Sequence, residues 1–282
     1  MLYNGGMRTG VGVEVDHLSV DYPAARPLFG PRSSTTQTRR HRALHDVTFS
    51  VEAGERIGVI GMNGAGKSTL FRTIAGILTP ASGRVDVGGH ISTSTNRLPA
   101  GYMASYPLLY RRLTGYENLR YVANLYDVRD VNERVHFLAE RVGLADRLYD
   151  YVEQYSRGMM ARLDLARVLL PSPPILLLDE PFSSFDVQFV DEVQQIIRES
   201  RATVLFATHQ LGDIEKLTHR IILLHQGRLL RDVSFEDLSE VAPQEGGKLL
   251  TTTEFVELLL RRSVGSSARP QSSIHRKYVI SA

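Results

Sequence analysis

The chain has 282 residues, 43% of them hydrophobic, with a formal net charge of only +2 and no cysteine. That composition suits an ordinary globular core in one large or two modest domains. It excludes disulfide scaffolds and thiolate metal sites, gives no electrostatic case for nucleic acid as a partner, and contains no apolar run long enough to span a bilayer.

The first residues, Met1-Leu2-Tyr3-Asn4-Gly5-Gly6, lack the charged-then-apolar layout of a secretion signal, and nothing here contradicts a cytoplasmic setting. Val11 to Val20 and Ala43 to Val51 alternate in part between apolar and polar residues and predict strands of a β subdomain. Between them, Pro27 to Arg42 is rich in Pro, Ser, Thr and Arg and predicts an exposed loop. Its run Arg39-Arg40-His41-Arg42 suits a solvated face, with a lipid-headgroup contact as the alternative. Arg56 to Ile60 predicts a short apolar strand and Leu70 to Ala75 a helix, while Arg84 to Val87 adds a strand and Gly88-Gly89 a turn.

From Leu113 to Ala166 apolar residues recur three and four apart, which predicts helices. Tyr102, Tyr106, Tyr110, Tyr116, Tyr121 and Tyr126 crowd the approach, six of the chain's twelve tyrosines. They suit either amphipathic helix packing or a docking groove for a membrane partner. Ile175 to Asp179 and Val204 to His209 read as buried strands. Past Asp164 strand and helix alternate, which predicts a mostly parallel, three-layer α/β core. Leu249 to Arg262 suits a short amphipathic helix, and the Ser-rich, basic stretch Ser263 to Ala282 a flexible tail.

Chemistry concentrates in four places. Gly61-Met62-Asn63-Gly64-Ala65-Gly66-Lys67-Ser68-Thr69 fits G-x-x-x-x-G-K-[ST] at every fixed position. Its glycines let successive N–H groups face one concavity, a nest for phosphate oxygens at a helix N-terminus. Lys67 suits the β- and γ-phosphates and the Ser68 hydroxyl suits Mg²⁺. The strand Ile175 to Asp179 ends in Asp179 and Glu180. At the carboxyl end of a parallel sheet Asp179 can hold Mg²⁺ and Glu180 can deprotonate a water. His209 ends a second such strand; a lone His in that place is also an ordinary structural hydrogen-bonder. Tyr155-Ser156-Arg157-Gly158-Met159 precedes a helical run and offers a second anion-binding N-terminus, or a simple N-cap.

Together, and in this order, these segments resemble the ATP-binding cassette (ABC) ATPase family over roughly residues 12 to 240. The resemblance implies a P-loop NTPase (RecA-like) core with an antiparallel β subdomain and a helical subdomain at about 100–165. Residues 1–245 would form the ATPase domain and 246–282 a C-terminal helix and tail. It implies ATP and Mg²⁺ as cofactors. Gly61, Asn63, Gly64, Ala65, Gly66, Lys67, Ser68 and Thr69 become the Walker A loop, Ser68 and Asp179 the metal ligands, Glu180 the catalytic glutamate and His209 the switch histidine. Ser156 and Gly158 match the signature that reaches ATP on the opposite subunit, and Asp186 lies in a D-loop-like Ser183-Ser184-Phe185-Asp186. Tyr22 is the candidate aromatic over adenine, set far from Walker A by an apparent insertion at Ala24 to Thr38.

Two departures stand out. The family's Leu-Ser-Gly-Gly-Gln is Tyr155-Ser156-Arg157-Gly158-Met159 here, and Ser105 occupies the position of a glutamine that contacts Mg²⁺ and water. Serine is too short for the same reach. The implied partners are a second ATPase subunit, most simply an identical copy, and a membrane-spanning permease. The implied place is the cytoplasmic face of the inner membrane. The stretch Leu113 to Leu119, the altered signature and the insertion are similar to exporter ATPases for polysaccharides and lipid-linked glycans. Two other readings stay open at this point: a soluble cassette ATPase acting on ribosomes or DNA, and a regulatory nucleotide-binding module.

Overall fold

The computed structural model describes residues 9–23, 40–92, 100–183, 185, 187–209, 217–234, 244–245 and 248–249. The insertion at 24–38, Ser184 and Asp186 of the D-loop-like stretch, residues 250–262 of the helix expected over Leu249 to Arg262, and the tail lie outside them; Leu249 itself pairs with Gln244 in a two-stranded antiparallel ladder rather than starting a helix.

An antiparallel sheet is built from β1 (Val13–Pro23), β2 (Arg40–Val51), β4 (Ser82–Val87) and β5 (His90–Ile91) in the order β2-β1-β4-β5. The expected loop up to Arg42 is shorter than the sequence suggests. β2 already begins at Arg40, because Tyr22 pairs with His41 and Asp21 with Arg42 across the two strands. Arg42 Nε donates to Asp21 Oδ1 at 2.7 Å, so the basic run is folded into a strand end by its cross-strand acid.

The larger sheet has six strands in the order β10-β9-β3-β8-β7-β6. These are β3 (Arg56–Ile60), β6 (Ala100–Met103), β7 (Ile175–Asp179), β8 (Thr203–Thr208), β9 (Arg220–His225) and β10 (Arg228–Ser234). All are parallel except β10, which pairs antiparallel with β9 at one edge. Every residue of β7 and β8 is buried, which is why both read as uninterrupted aliphatic runs.

Alternation along the strands builds three layers. Leu176, Leu178, Val204, Phe206, Ile221 and Leu223 face one core, shared with helical residues such as Leu119, Leu138, Leu163 and Phe189. Ile175, Leu177, Leu205, Ala207, Ile222 and Leu224 face the other. There they meet Leu70, Phe71 and Ile74 of α1 (Lys67–Ile74) and Val15, Leu44 and Val85 of the antiparallel sheet.

The helical layer holds α2 (Gly115–Leu125), α3 (Val131–Arg141), α4 (Arg157–Leu169) and α5 (Val187–Glu199). A capping box starts α2: the Thr114 hydroxyl accepts from Glu117 N–H at 3.1 Å, and Glu117 Oε2 accepts from Thr114 N–H at 2.8 Å. Short 3₁₀ turns at Ala145–Arg147 and Val152–Gln154 join α3 to α4. Residues 100–103 belong to the main sheet as β6, paired with β7, so the helices begin only at Gly115. Of the tyrosines near this region, Tyr102 is buried in β6 while Tyr106, Tyr110, Tyr121 and Tyr126 are exposed.

Leu177 sits fully buried at the centre of the sheet. Leu177→Ala should lower the unfolding free energy by about 2–5 kcal/mol, read from denaturant titration.

Candidate active site

Strand register builds the site. β8 lies between β3 and β7, with Ile60 paired to Thr208 and Asp179 paired to Ala207. The carboxyl ends of the three strands are therefore nearly level. The residues that follow them are Gly61, His209 and Glu180, and they emerge on one edge. This is where open parallel sheets hold ligands.

The loop from Gly61 to Gly66 leads into α1, which begins at Lys67. Gly66 has φ 104°, a left-handed conformation, and a Cβ there would lie 2.8 Å from Leu44 Cδ2 and 3.0 Å from the Ala43 carbonyl oxygen. Gly227, in the β9–β10 turn, donates its N–H to the Ala65 carbonyl at 2.9 Å. The loop is thus held from outside by β2 and by that turn.

Lys67 is 6% exposed; its Nζ donates to the Gly61 carbonyl at 2.7 Å and lies 3.6 Å from Glu180 Oε1. Glu180 has φ 53°, unusual for a residue with a side chain. Its N–H still donates to the Ala207 carbonyl at 2.8 Å, so the left-handed turn comes at the strand's last ladder bond. The turn brings the carboxylate between Lys67 and His209, whose Nδ1 is 3.0 Å from both Glu180 oxygens.

Asp179 is 2% exposed, and its Oδ2 has no hydrogen-bond partner among the described residues. Burial pushes its carboxyl above the usual range; the hydrogen bond from Ser68 and the nearby Lys67 charge pull the other way. A buried, unsatisfied carboxylate oxygen beside a serine hydroxyl fits a hard divalent cation that takes its other ligands from phosphate and water. Among the described residues no group of three or more His, Asp or Glu forms a metal cage, so the cation would need those outside ligands.

Lys67, Ser68, Asp179 and Glu180 line a cleft of about 850 Å³, whereas Gly61 and His209 stand next to its wall and not in it, His209 through its contact with Glu180. Met62 to Thr69, Tyr22, Ser105, Asp179 and Glu180 contribute to its wall. Tyr22 also points its hydroxyl at Thr69 Oγ1, 3.3 Å away. Ser156 and Gly158 are not part of that wall. Ser156 is exposed and caps α4, its Oγ accepting from Met159 N–H at 3.2 Å. Asp186 lies outside the described residues.

The cleft also has walls that motif reading missed. His41, Arg42, Ala43 and His45 of β2 and Gln226 and Arg228 of the β9–β10 turn line it. No local pattern marks them; only the pairing of Tyr22 with His41 and of His45 N–H with the Gly227 carbonyl at 2.8 Å brings them there. Burial, followed by the charges of Arg228 and Arg42, pushes the His45 imidazole below its usual value.

The sequence model of the family described as ABC transporter matches residues 44–183. The chain is 36% identical over 236 residues to the uncharacterized ABC transporter ATP-binding protein YdbJ of Bacillus subtilis, covering 78% of this chain and 76% of that one. The chain belongs to the ABC transporter ATP-binding family. Its ABC relatives differ in direction of transport. It is 32% identical to the teichoic acids export ATP-binding protein TagH of Listeria monocytogenes, over 79% of this chain and 67% of that one. It is 33% identical to the methionine import ATP-binding protein MetN 2 of Bacillus anthracis, over 82% and 69%. A solved ATP-binding subunit of an ABC transporter superposes with a TM-score of 0.73 at 28% identity, covering 88% of this chain and 99% of that one. The chain is accordingly an ATP-binding ABC ATPase with the P-loop NTPase fold.

Gly64 and Gly66 separate two effects. Both have positive φ, 81° and 104°, but a Cβ on Gly64 meets nothing within 4 Å. Gly64→Ala should cost about 1–2 kcal/mol from conformation alone, whereas Gly66→Ala adds a clash with β2. Titration with a fluorescent ATP analogue should show the larger loss of affinity for Gly66→Ala.

Proposed function

We propose that this ABC ATPase powers export of a polysaccharide, a lipid-linked glycan or another amphiphile through a separate membrane-spanning partner. The observation that carries the catalytic part is the convergence of Lys67, Asp179, Glu180 and His209 on one sheet edge beside the phosphate loop. Export is supported by the likeness to TagH and by the Leu113 to Leu119 stretch; MetN 2 is the counter-example that makes direction the finer question.

The chain's own residues divide the work. Main-chain N–H groups of Gly61 to Thr69 cradle the phosphates, and Lys67 exchanges its contact with the Gly61 carbonyl for phosphate oxygens. Ser68 and Asp179, already hydrogen-bonded to each other, would hold Mg²⁺, which would supply neutralisation of phosphate charge. Glu180 accepts a proton from water as the water oxygen bonds to the γ-phosphorus and the bond to the ADP oxygen breaks, giving ADP and phosphate. His209, against both Glu180 oxygens, keeps that carboxylate aimed.

Ser156 and Gly158 stand at an exposed helix start away from their own cleft. They serve the ATP of a second copy, facing head to tail, so hydrolysis requires closure of the pair. The family resemblance gives Asp186, outside the described residues, a role at the same shared site. Tyr22 closes the nucleobase side. Exposed Tyr106, Tyr110, Tyr121 and Tyr126 give the permease a part-apolar, part-wet surface. Among the described residues no helix is long and apolar enough to cross a membrane, which suits a subunit held peripherally at the cytoplasmic face.

Glu180→Gln should bind ATP with little change yet hydrolyse it on the order of 10²–10⁴-fold more slowly. Phosphate-release kinetics check this, and unchanged turnover would remove Glu180 from the role. Lys67→Ala should instead lose nucleotide binding. Reconstitution with the permease in vesicles and a screen of glycan and lipid cargoes tests direction; uptake toward the ATPase side would overturn export.

A further inference from the structure

Asp164 sits in mid-α4 between Leu163 and Leu165, 0% exposed. Its Oδ1 accepts from Arg167 Nε at 2.7 Å and from the Leu108 N–H at 3.1 Å. Arg167 reaches on, and its Nη2 donates to the Tyr102 carbonyl at 3.0 Å. Asp164 Oδ2 has no hydrogen-bond partner among the described residues. Burial pushes this carboxyl above its usual range, against the opposing pull of Arg167.

A buried ion pair with an unsatisfied oxygen is a poor device for stability, since apolar residues of similar size commonly do as well or better. Its geometry suggests another use. Tyr102 and Leu108 are the two shoulders of one loop, and Ser105 lies midway between them, three residues from each. Ser105 lines the nucleotide cleft together with Asp179 and Glu180. Farther on, Tyr110 is fastened to α2, its N–H donating to Asn118 Oδ1 at 2.8 Å and its carbonyl accepting from Asn118 Nδ2 at 3.0 Å. The helix that carries Asp164 is capped by Ser156, eight residues earlier, or about 12 Å along the axis.

We propose that Asp164 and Arg167 are positioning residues for ATP hydrolysis, clamping the Ser105 loop to the helix capped by Ser156. A short serine side chain has little reach, so its usefulness depends on where the backbone is held. The clamp holds that backbone at both shoulders from a single helix. The same helix presents Ser156 to the second copy, so movement of α4 on pair closure carries the Ser105 loop with it. The inference rests on the nucleotide site and the paired arrangement proposed above.

The test uses the full chain, with turnover expressed per bound nucleotide. Asp164→Ala should lower kcat by about 10- to 100-fold, the scale of a small misplacement at a reacting centre, while Kd for MgATP stays within about twofold. Asp164→Asn keeps an oxygen that accepts from both Leu108 N–H and Arg167, and should recover most of kcat. Asp164→Ala combined with Arg167→Met removes both charges and leaves no buried unpaired cation. It should melt no lower than Asp164→Ala yet remain slow. Recovery of wild-type kcat in that double variant, or unchanged kcat per bound nucleotide in Asp164→Ala, would overturn the inference alone. Failure of the unaltered chain to bind MgATP would instead overturn the nucleotide site and the inference with it.

Discussion

Parallel pairing of β3, β8 and β7 in one register is the constraint on which the site depends. Because Ile60 meets Thr208 and Asp179 meets Ala207, three chain segments leave the sheet at almost one level. A slip in any of these pairings would move Glu180 or His209 by about 3.3 Å along the strand. That is more than the 3.0 Å that separates His209 Nδ1 from the Glu180 carboxylate. The hydrophobic pattern enforces the register. Odd residues of β7 face the β subdomain and even ones face the helices, so a one-residue slip would exchange two cores.

Charge in the site is arranged around this edge. Lys67 and Asp179 are both almost inaccessible, and each has an incomplete set of partners: Lys67 holds one carbonyl and a distant carboxylate, Asp179 leaves one oxygen bare among the described residues. In the proposed mechanism such groups gain when a polyanion and its cation bind, because their desolvation has already been met by folding. The left-handed backbone at Glu180 belongs to the same pattern, strain held at the residue to which the proposed mechanism gives the proton transfer.

Much of this was legible because it is local. The phosphate loop, the Asp179-Glu180 pair and the strand-ending His209 each lie in one short run whose flanking periodicity fixes the element. The three-layer core followed from uninterrupted aliphatic strands. What escaped depends on pairing between distant segments. Arg40 to Arg42 looked like loop because Pro, Ser and Arg dominate the stretch, and only the cross-strand bond to Asp21 draws it into β2. His45 and Arg228 reach the cleft through the contact of β2 with the β9–β10 turn, which has no signature in either segment. Ala100 to Met103 was grouped with the helices that follow it, though its partner is β7, more than seventy residues on. Asp164 and Arg167 did leave a trace, an acid and a base three apart inside an apolar helical run, and such a pair at core positions signals a buried bond.

A triphosphate shared between two copies is the central claim, and the absence of cysteine from the chain makes it directly measurable. One preparation carries Asn63→Cys beside its own phosphate loop and another carries Ser156→Cys; both also carry Glu180→Gln to slow turnover. Mixed and oxidised, they should form a disulfide-linked dimer with MgATP and little without it, and the further change Lys67→Ala should abolish the link. No crosslink with MgATP, or an equal yield with no nucleotide present, would contradict a site completed by the facing copy.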